Sequence, residues 1–277
     1  MRHSKLRHAL LHASVAAGVD KVKANKSDKR RDSGQVILIA VLAMALILLS
    51  AQVYVFEVQM STIDFDSNLF SDYVYAVKLG SRNAVLGSLA NVSNGGAGSV
   101  LASNLNRLVT LVNGQNQFGR STLNYTLEES AAYSSGIWLF WGTNGFGVSS
   151  ASAHFTLNLS DREVDFHSSY SVNVTTTLVV EGTFKVLLGD EKQVNVTVNL
   201  LNEGNPALAN QITIYYRVSG SWLAPNASNN YVLTDFGNGT YLSSFNANIP
   251  SSTVEVSVQL RDRRQIFVRT NATCSQV

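Results

Sequence analysis

Few side chains in this sequence combine a type and a spacing that support chemistry. Of five histidines only His154 and His167 lie beyond residue 60. They have no third ligand at a metal-binding spacing and do not form an i, i+4 pair, so they read as plain strand histidines. His3, His8 and His12 fall in a basic N-terminal arm, where only helical stacking of His8 on His12 would offer a metal two nitrogens. Asp161, Glu163 and Asp165 alternate. A strand would set these carboxylates on one face, which suits the oxygen shell of calcium. The Gly-containing loop that shapes such a shell is missing, which favours a solvated face. Asn94-Gly-Gly-Ala-Gly98 lacks the Lys-Ser/Thr ending of a phosphate-cradling loop and reads as a linker. Neither Gly-x-Ser-x-Gly nor His-Glu-x-x-His occurs. Trp138, Trp141 and Trp222, with Tyr215 and Tyr216, are the aromatics that would line a sugar- or peptide-binding surface, although strand aromatics more often fill a core. Arg261, Arg263 and Arg264 form a local basic turn, read as solvated. The one cysteine, Cys274, excludes an intramolecular disulfide and a Cys-based zinc site. The expectation is therefore no enzyme, with no catalytic residue, no metal and no cofactor.

The charge distribution says more about placement. The formal charge of +2 divides into nine Lys/Arg against three Asp over residues 1–35 and twelve Lys/Arg against sixteen Asp/Glu over residues 54–277. Only 14% of residues are charged while 45% are hydrophobic, which argues against a disordered chain and against nucleic acid as a partner. Between the two regions, Val36 to Phe56 contains no charge. At a rise of about 1.5 Å per residue that run matches a hydrocarbon core of about 30 Å, and it predicts a transmembrane helix. The positive-inside rule then leaves the basic arm in the cytoplasm and the remainder outside, at the cell membrane.

The elements that follow are read from periodicity. Phe65, Leu69, Tyr73 and Val77, widened by Phe70, Val74, Val85 and Leu89, continue a helical stripe, with Asp72, Lys78 and Arg82 opposite. Leu101, Leu105, Leu108 and Val112 predict a second amphipathic helix that stops at Asn113-Gly114. From residue 121 the period becomes 2, and Leu123/Tyr125/Leu127, Ile137 to Trp141, Ala153 to Leu159 and Tyr170 to Val180 read as strands packed on the stem helix. About seven short strands follow, the Gly237-Asn238-Gly239 hairpin signal among them. The predicted organisation is a basic leader at 1–35, a transmembrane helix at 36–56, stem and second helices at 57–120, a β-rich middle at 121–180 and a sandwich at 181–277. This is an α+β fold: a long N-terminal transmembrane and stem helix, an antiparallel sheet and a C-terminal Ig-like β-sandwich.

Basic residues, then Ser33-Gly34-Gln35, then an unbroken aliphatic helix resemble the N-terminus of archaeal type IV pilin-like proteins. The resemblance implies cleavage between Gly34 and Gln35, and a freed helix that packs with copies of itself or with other pilin-like subunits in a filament core. Ile39 stands where many pilins carry a Glu. Asp235-Phe-Gly-Asn-Gly-Thr-Tyr241 resembles a stretch of immunoglobulin-like repeats in surface and filament proteins. Eight Asn-x-Ser/Thr triplets begin at Asn91, Asn124, Asn158, Asn173, Asn195, Asn226, Asn238 and Asn271, and they suit an exported, N-glycosylated surface. Together these features predict a structural cell-envelope protein, a pilin-like subunit or surface glycoprotein. A membrane-tethered adhesin or ligand-binding module that is neither processed nor polymerised is the alternative.

Overall fold

Twelve strands form the largest part of the described chain, whose elements run in the order α1 (Asp32–Ser93), α2 (Val100–Asn113), β1 (Arg120–Leu127), β2 (Ile137–Trp141), β3 (Phe146–Ser160), β4 (Asp165–Leu188), β5 (Glu191–Asn202), β6 (Asn205–Pro206), β7 (Ala209–Val218), β8 (Ser221–Leu223), β9 (Val232–Asp235), β10 (Thr240–Asn248), β11 (Val254–Asp262) and β12 (Phe267–Gln276). The computed structural model describes residues 32–115, 120–130, 132–160 and 165–277, with side chains at 41–54 and from residue 69 onward within those ranges. The chain divides into two units, Met1–Asp66 and Ser67–Val277.

The α+β expectation with its transmembrane helix is corrected. Among the residues whose side chains are described, strands make up 52% and helices 26%, so the fold is predominantly β with a curled sheet. Among the described residues no helix is long and apolar enough to cross a membrane. The described apolar side chains on α1 in the first unit span 41–54. The side chains of residues 36–40, 55 and 56 of the predicted run lie outside the described residues. A second correction concerns the sheet. The middle and C-terminal strands do not form separate sheets, because β4 runs unbroken through residue 180.

Strand β4 is long because apolar and polar residues alternate along it without a turn signal. Its first part pairs antiparallel with β3, from Asp165 opposite Ser160 to Val179 opposite Phe146. Its second part pairs with β5, from Thr176 opposite Asn202 to Leu188 opposite Glu191. Residues 176–179 are therefore hydrogen-bonded on both sides. From β4 the sheet continues through β5, β10 and β9 in one direction and through β12, β11, β7 and β8 in the other. The β4–β12 junction is a short parallel pairing of Thr183 with Ser275 and Phe184 with Gln276. Gly182 permits that approach, since a Cβ there would lie 2.3 Å from Cys274 Sγ.

Two cores result, both within the second unit. One lies between the facing strand rows and holds Leu178, Val194, Val196, Val198, Ile214, Phe245, Val256, Val258 and Val268. The other holds the helices against the inner face of β1, β3 and β4. There Val77, Val85, Leu89 and Val92 of α1 and Leu101, Leu105 and Val112 of α2 meet Leu123, Phe155, Leu157 and Val174. The predicted stripe is thus partly used: Leu69 stays exposed, Tyr73 and Val74 are half-buried, and the Phe65 side chain lies outside the described residues. Asp72, Lys78 and Arg82 are exposed. Asn113 ties α2 to β1, its Oδ1 accepting the Leu123 N–H at 2.6 Å.

The turn between β11 and β12 joins both cores. Asp262, with no exposed surface, accepts from the Arg264 and Ile266 backbone N–H groups, from Arg264 Nε and from Thr176 Oγ1. Removing one partner of such a buried, hydrogen-bonded ion pair costs about 3–5 kcal/mol. Asp262→Ala should therefore lower unfolding free energy by about that amount, read by urea denaturation followed by circular dichroism. A loss below about 1 kcal/mol would show that this turn does not organise the fold.

Candidate functional site

The period of 2 along β7, β11 and β12 sends Ile214, Tyr216, Val256, Val258, Val268 and Ala272 inward and leaves the alternate residues outside. Register brings these outer residues into rows: Tyr215 pairs with Ser257 and Ser257 with Asn271, while Gln259 pairs with Arg269. This face forms the floor of a cleft of about 320 Å³ whose walls carry Trp141 and Trp222.

The Trp141 wall is firmly held. Its indole N–H donates to Ser149 Oγ at 3.2 Å, and Ser149 donates onward to the Phe267 carbonyl at 2.7 Å. The ring meets Phe267 edge-on at 5.3 Å and carries the Arg269 guanidinium 4.9 Å from its centroid. The next residue, Gly142, is anchored because its carbonyl accepts the Asn271 N–H and the Thr270 hydroxyl, each at 3.0 Å. Gly147 lets β3 run beside β12 here, since a Cβ there would lie 2.4 Å from the Arg269 carbonyl oxygen. The opposite wall is Trp222 on β8, reached through the tight Ser219–Gly220 turn and set beside Arg217, whose guanidinium lies 5.8 Å from the ring centroid. Arg217 pairs with Glu255 at 2.7 Å.

Of the aromatics singled out from the sequence, the fold brings Trp141, Tyr215 and Trp222 together. Trp138 lies three residues before Trp141 on β2, hence on the other face, and packs against Tyr133 at 5.8 Å. Tyr216 points inward and meets Phe245 at 5.3 Å. Gln259, Arg269 and Asn271 were missed as cleft residues. Their signal was the outward phase of strands whose inward phase had been read.

Comparison with known proteins finds no match. No family model fits the chain, and no curated protein and no solved structure is similar to it.

The remaining candidate residues are scattered. His154 is bracketed by Glu128 Oε2, 3.0 Å from Nε2, and by Ser171 Oγ, 2.6 Å from Nδ1. This Ser–His–Glu chain lies on an exposed strand face, His154 being 50% exposed. At His154, β3 pairs with β1 on one side and β4 on the other, so the local backbone N–H groups are engaged in the sheet and do not form an oxyanion hole. The arrangement reads as a cross-strand polar link. His167 contacts Asn158 Oδ1 at 2.5 Å. Asp165 is exposed at the start of β4, while Asp161, Glu163, His3, His8 and His12 lie outside the described residues. Among the described residues no group of three His, Cys, Asp or Glu is placed to hold a metal ion.

The basic turn fits its solvated reading at Arg263, which is exposed, but not at its two neighbours. Arg264 pairs with Asp262 and Glu203, and Arg261 donates to Asn94 and Gln211. Asn94 also donates to the Gln265 carbonyl, so the glycine-rich linker begins at a fixed contact. Gly34 and Gln35 fall within α1, with side chains outside the described residues.

The eight triplet asparagines occupy varied positions. Asn91, Asn124, Asn173, Asn226 and Asn238 are exposed, and Asn158, Asn195 and Asn271 are partly exposed. Ser93, the third residue of the first triplet, is 2% exposed and accepts the Phe267 N–H.

Cys274 is buried, and loss of solvent pushes its thiol from 9.0 up to about 12. The folded protein holds this proton where the unfolded chain has lost it, so this group's contribution to stability is full below pH 9 and lost as pH rises toward 12. A maleimide reagent at pH 8 should leave Cys274 unmodified in the native protein and label it stoichiometrically in guanidinium, as read by intact mass. Rapid native labelling would contradict its burial.

Proposed function

We propose that the chain is a structural cell-envelope protein, a pilin-like filament subunit or surface glycoprotein, with its β-rich unit presented outside the cell. One observation carries this reading. Val41, Leu42, Met44, Leu46, Ile47, Leu48, Leu49 and Val53 on α1 are each between 55% and 66% exposed. They lie all round the helix, and a helix apolar on every side requires an apolar environment. In a filament that environment is the same helix of neighbouring copies, which agrees with the N-terminal resemblance. The exposed triplet asparagines and the low proportion of charge support an exported surface that bears N-glycans. The β4 to β12 strand order, with β9, β10, β5 and β4 in one row and β12, β11, β7 and β8 in the other, supports an Ig-like β-sandwich for the presented part. The alternative, a membrane-associated adhesin or ligand-binding module, is favoured by the aromatic cleft.

Shearing intact cells and comparing the released filaments with washed membranes separates these two readings. The filament reading expects the protein in the sheared fraction with an intact mass that begins at Gln35. Recovery only in washed membranes, with residues 1–34 retained, would overturn it in favour of the adhesin.

A further inference from the structure

We infer that the cleft between Trp141 and Trp222 is a saccharide-binding site for one neutral or acidic pyranose unit of a glycan. The inference goes beyond the structural role proposed above and depends on it only for access to envelope glycans.

The chemistry of the walls and the floor points to this ligand class. Trp141 and Trp222 each carry a guanidinium over one ring face, Arg269 at 4.9 Å and Arg217 at 5.8 Å, and with Tyr215 they line the cleft with aromatic surface of the kind on which the C–H face of a pyranose ring stacks. The floor supplies Gln259 and Asn271, each offering an amide donor and an amide acceptor, while Arg269 offers donors only. Among the described residues none of these three side chains makes a hydrogen bond or ion pair; Arg269 makes only its contact with the Trp141 ring. Their hydrogen-bonding capacity is therefore free to meet sugar hydroxyl groups, which also donate and accept. A lipid or an apolar peptide would leave these groups unpaired. A volume of about 320 Å³ lies at the lower end of small-molecule pockets and suits one ring. Among the described residues Arg269 is the sole charged one lining the cleft, so a sugar carboxylate is tolerated and a cationic sugar is disfavoured.

Two sources of this chemistry exist. Asn271 lines the cleft and begins an Asn-Ala-Thr triplet, so the first sugar of a glycan on this same residue would sit against the rings. The other source is a saccharide of another molecule.

The test uses the full-length chain in mild detergent, produced without glycosylation. Its probes are immobilised oligosaccharides built from neutral hexoses, N-acetylhexosamines or uronic acids, with tryptophan fluorescence as the solution readout. The unmodified chain should bind at least one neutral or acidic class. Trp222→Ala and Gln259→Ala, both on the outer face, should each weaken binding by roughly tenfold or more while the melting curve is unchanged. If the naturally glycosylated protein carries a glycan on Asn271 and binds the probes only after Asn271→Gln, the source is the chain's own sugar. If it binds without that change, the source lies in another molecule. Failure of the unmodified chain to bind any probe class would overturn the inference, as would binding indifferent to both substitutions. Recovery of the protein in washed membranes with saccharide binding intact would count against the filament reading alone.

Discussion

The carboxylate of Asp262 is the constraint on which the arrangement of the second unit turns. A carboxylate with no exposed surface carries a desolvation penalty of several kcal/mol, and here it is offset by two backbone N–H groups, the Arg264 guanidinium and the Thr176 hydroxyl. Thr176 opens the four-residue stretch in which β4 is paired on both sides. The ion pair therefore sits where the helix-covered sheet passes into the facing strand rows. Arg264 extends the link to Glu203, which accepts the Thr175 N–H and takes a left-handed conformation at φ 48°. One buried acid thus fixes the turn after β5, the middle of β4 and the hairpin of β11 and β12.

Several features follow from that turn. Ile266 is directed into the helix-side core, whereas Leu260 and Val268 on either side of it enter the other core. The end of α1 is secured by the same segment, through Ser93 to the Phe267 N–H and Asn94 to Gln265 and Arg261. The phase of β12 is also set there. With Val268 inward, Phe267, Arg269 and Asn271 must face outward, and these are the residues that brace Trp141 and floor the cleft. The cleft therefore inherits its geometry from a buried contact elsewhere in the fold. One path through the sheet ends in the very short strands β8 and β9, while β1 and β2, each paired only with β3, form further edges.

Periodicity made the individual strands and the second helix legible, because alternation or a helical stripe is written within one segment. The run from Ile137 to Trp141 and the hairpin at Gly237–Gly239 needed no distant information. What lay across segments was not legible. The alternation runs through residues 165–180 and loses its period only beyond Val180, after the point where β4 exchanges one partner for another, so nothing local marked the exchange and a boundary placed at 180 split a continuous strand. Asp262 sits in a basic turn, and its burial depends on Thr176, far away in sequence. His154, Ser171 and Glu128 come together only through strand register. The cleft was half legible: its aromatic residues stood out by type, but applying the outward phase to Arg269 and Asn271 required knowing that β12 lies beside β11 and ends near Trp141. The transmembrane reading rested on composition across Val36 to Phe56, a segment whose side chains fall only in part within the described residues.

The two walls of the cleft differ in a way that bears on how it would accept a ring. Trp141 is held on several sides, by Ser149, Phe267 and Arg269, and its neighbour Gly142 is fixed to β12. Trp222 lies on a three-residue edge strand, is 38% exposed and has the Arg217 contact as its principal support. Ordering a side chain on binding costs about 0.5–1.5 kcal/mol, and at Trp141 that ordering is already present in the fold. The remaining entropic cost falls on Trp222. A fixed wall of this kind orients a ligand, while the adjustable wall sets how tightly it closes. Substituting the edge tryptophan therefore removes contact surface with little strain, whereas changing Trp141 would disturb the β2–β12 junction along with the site.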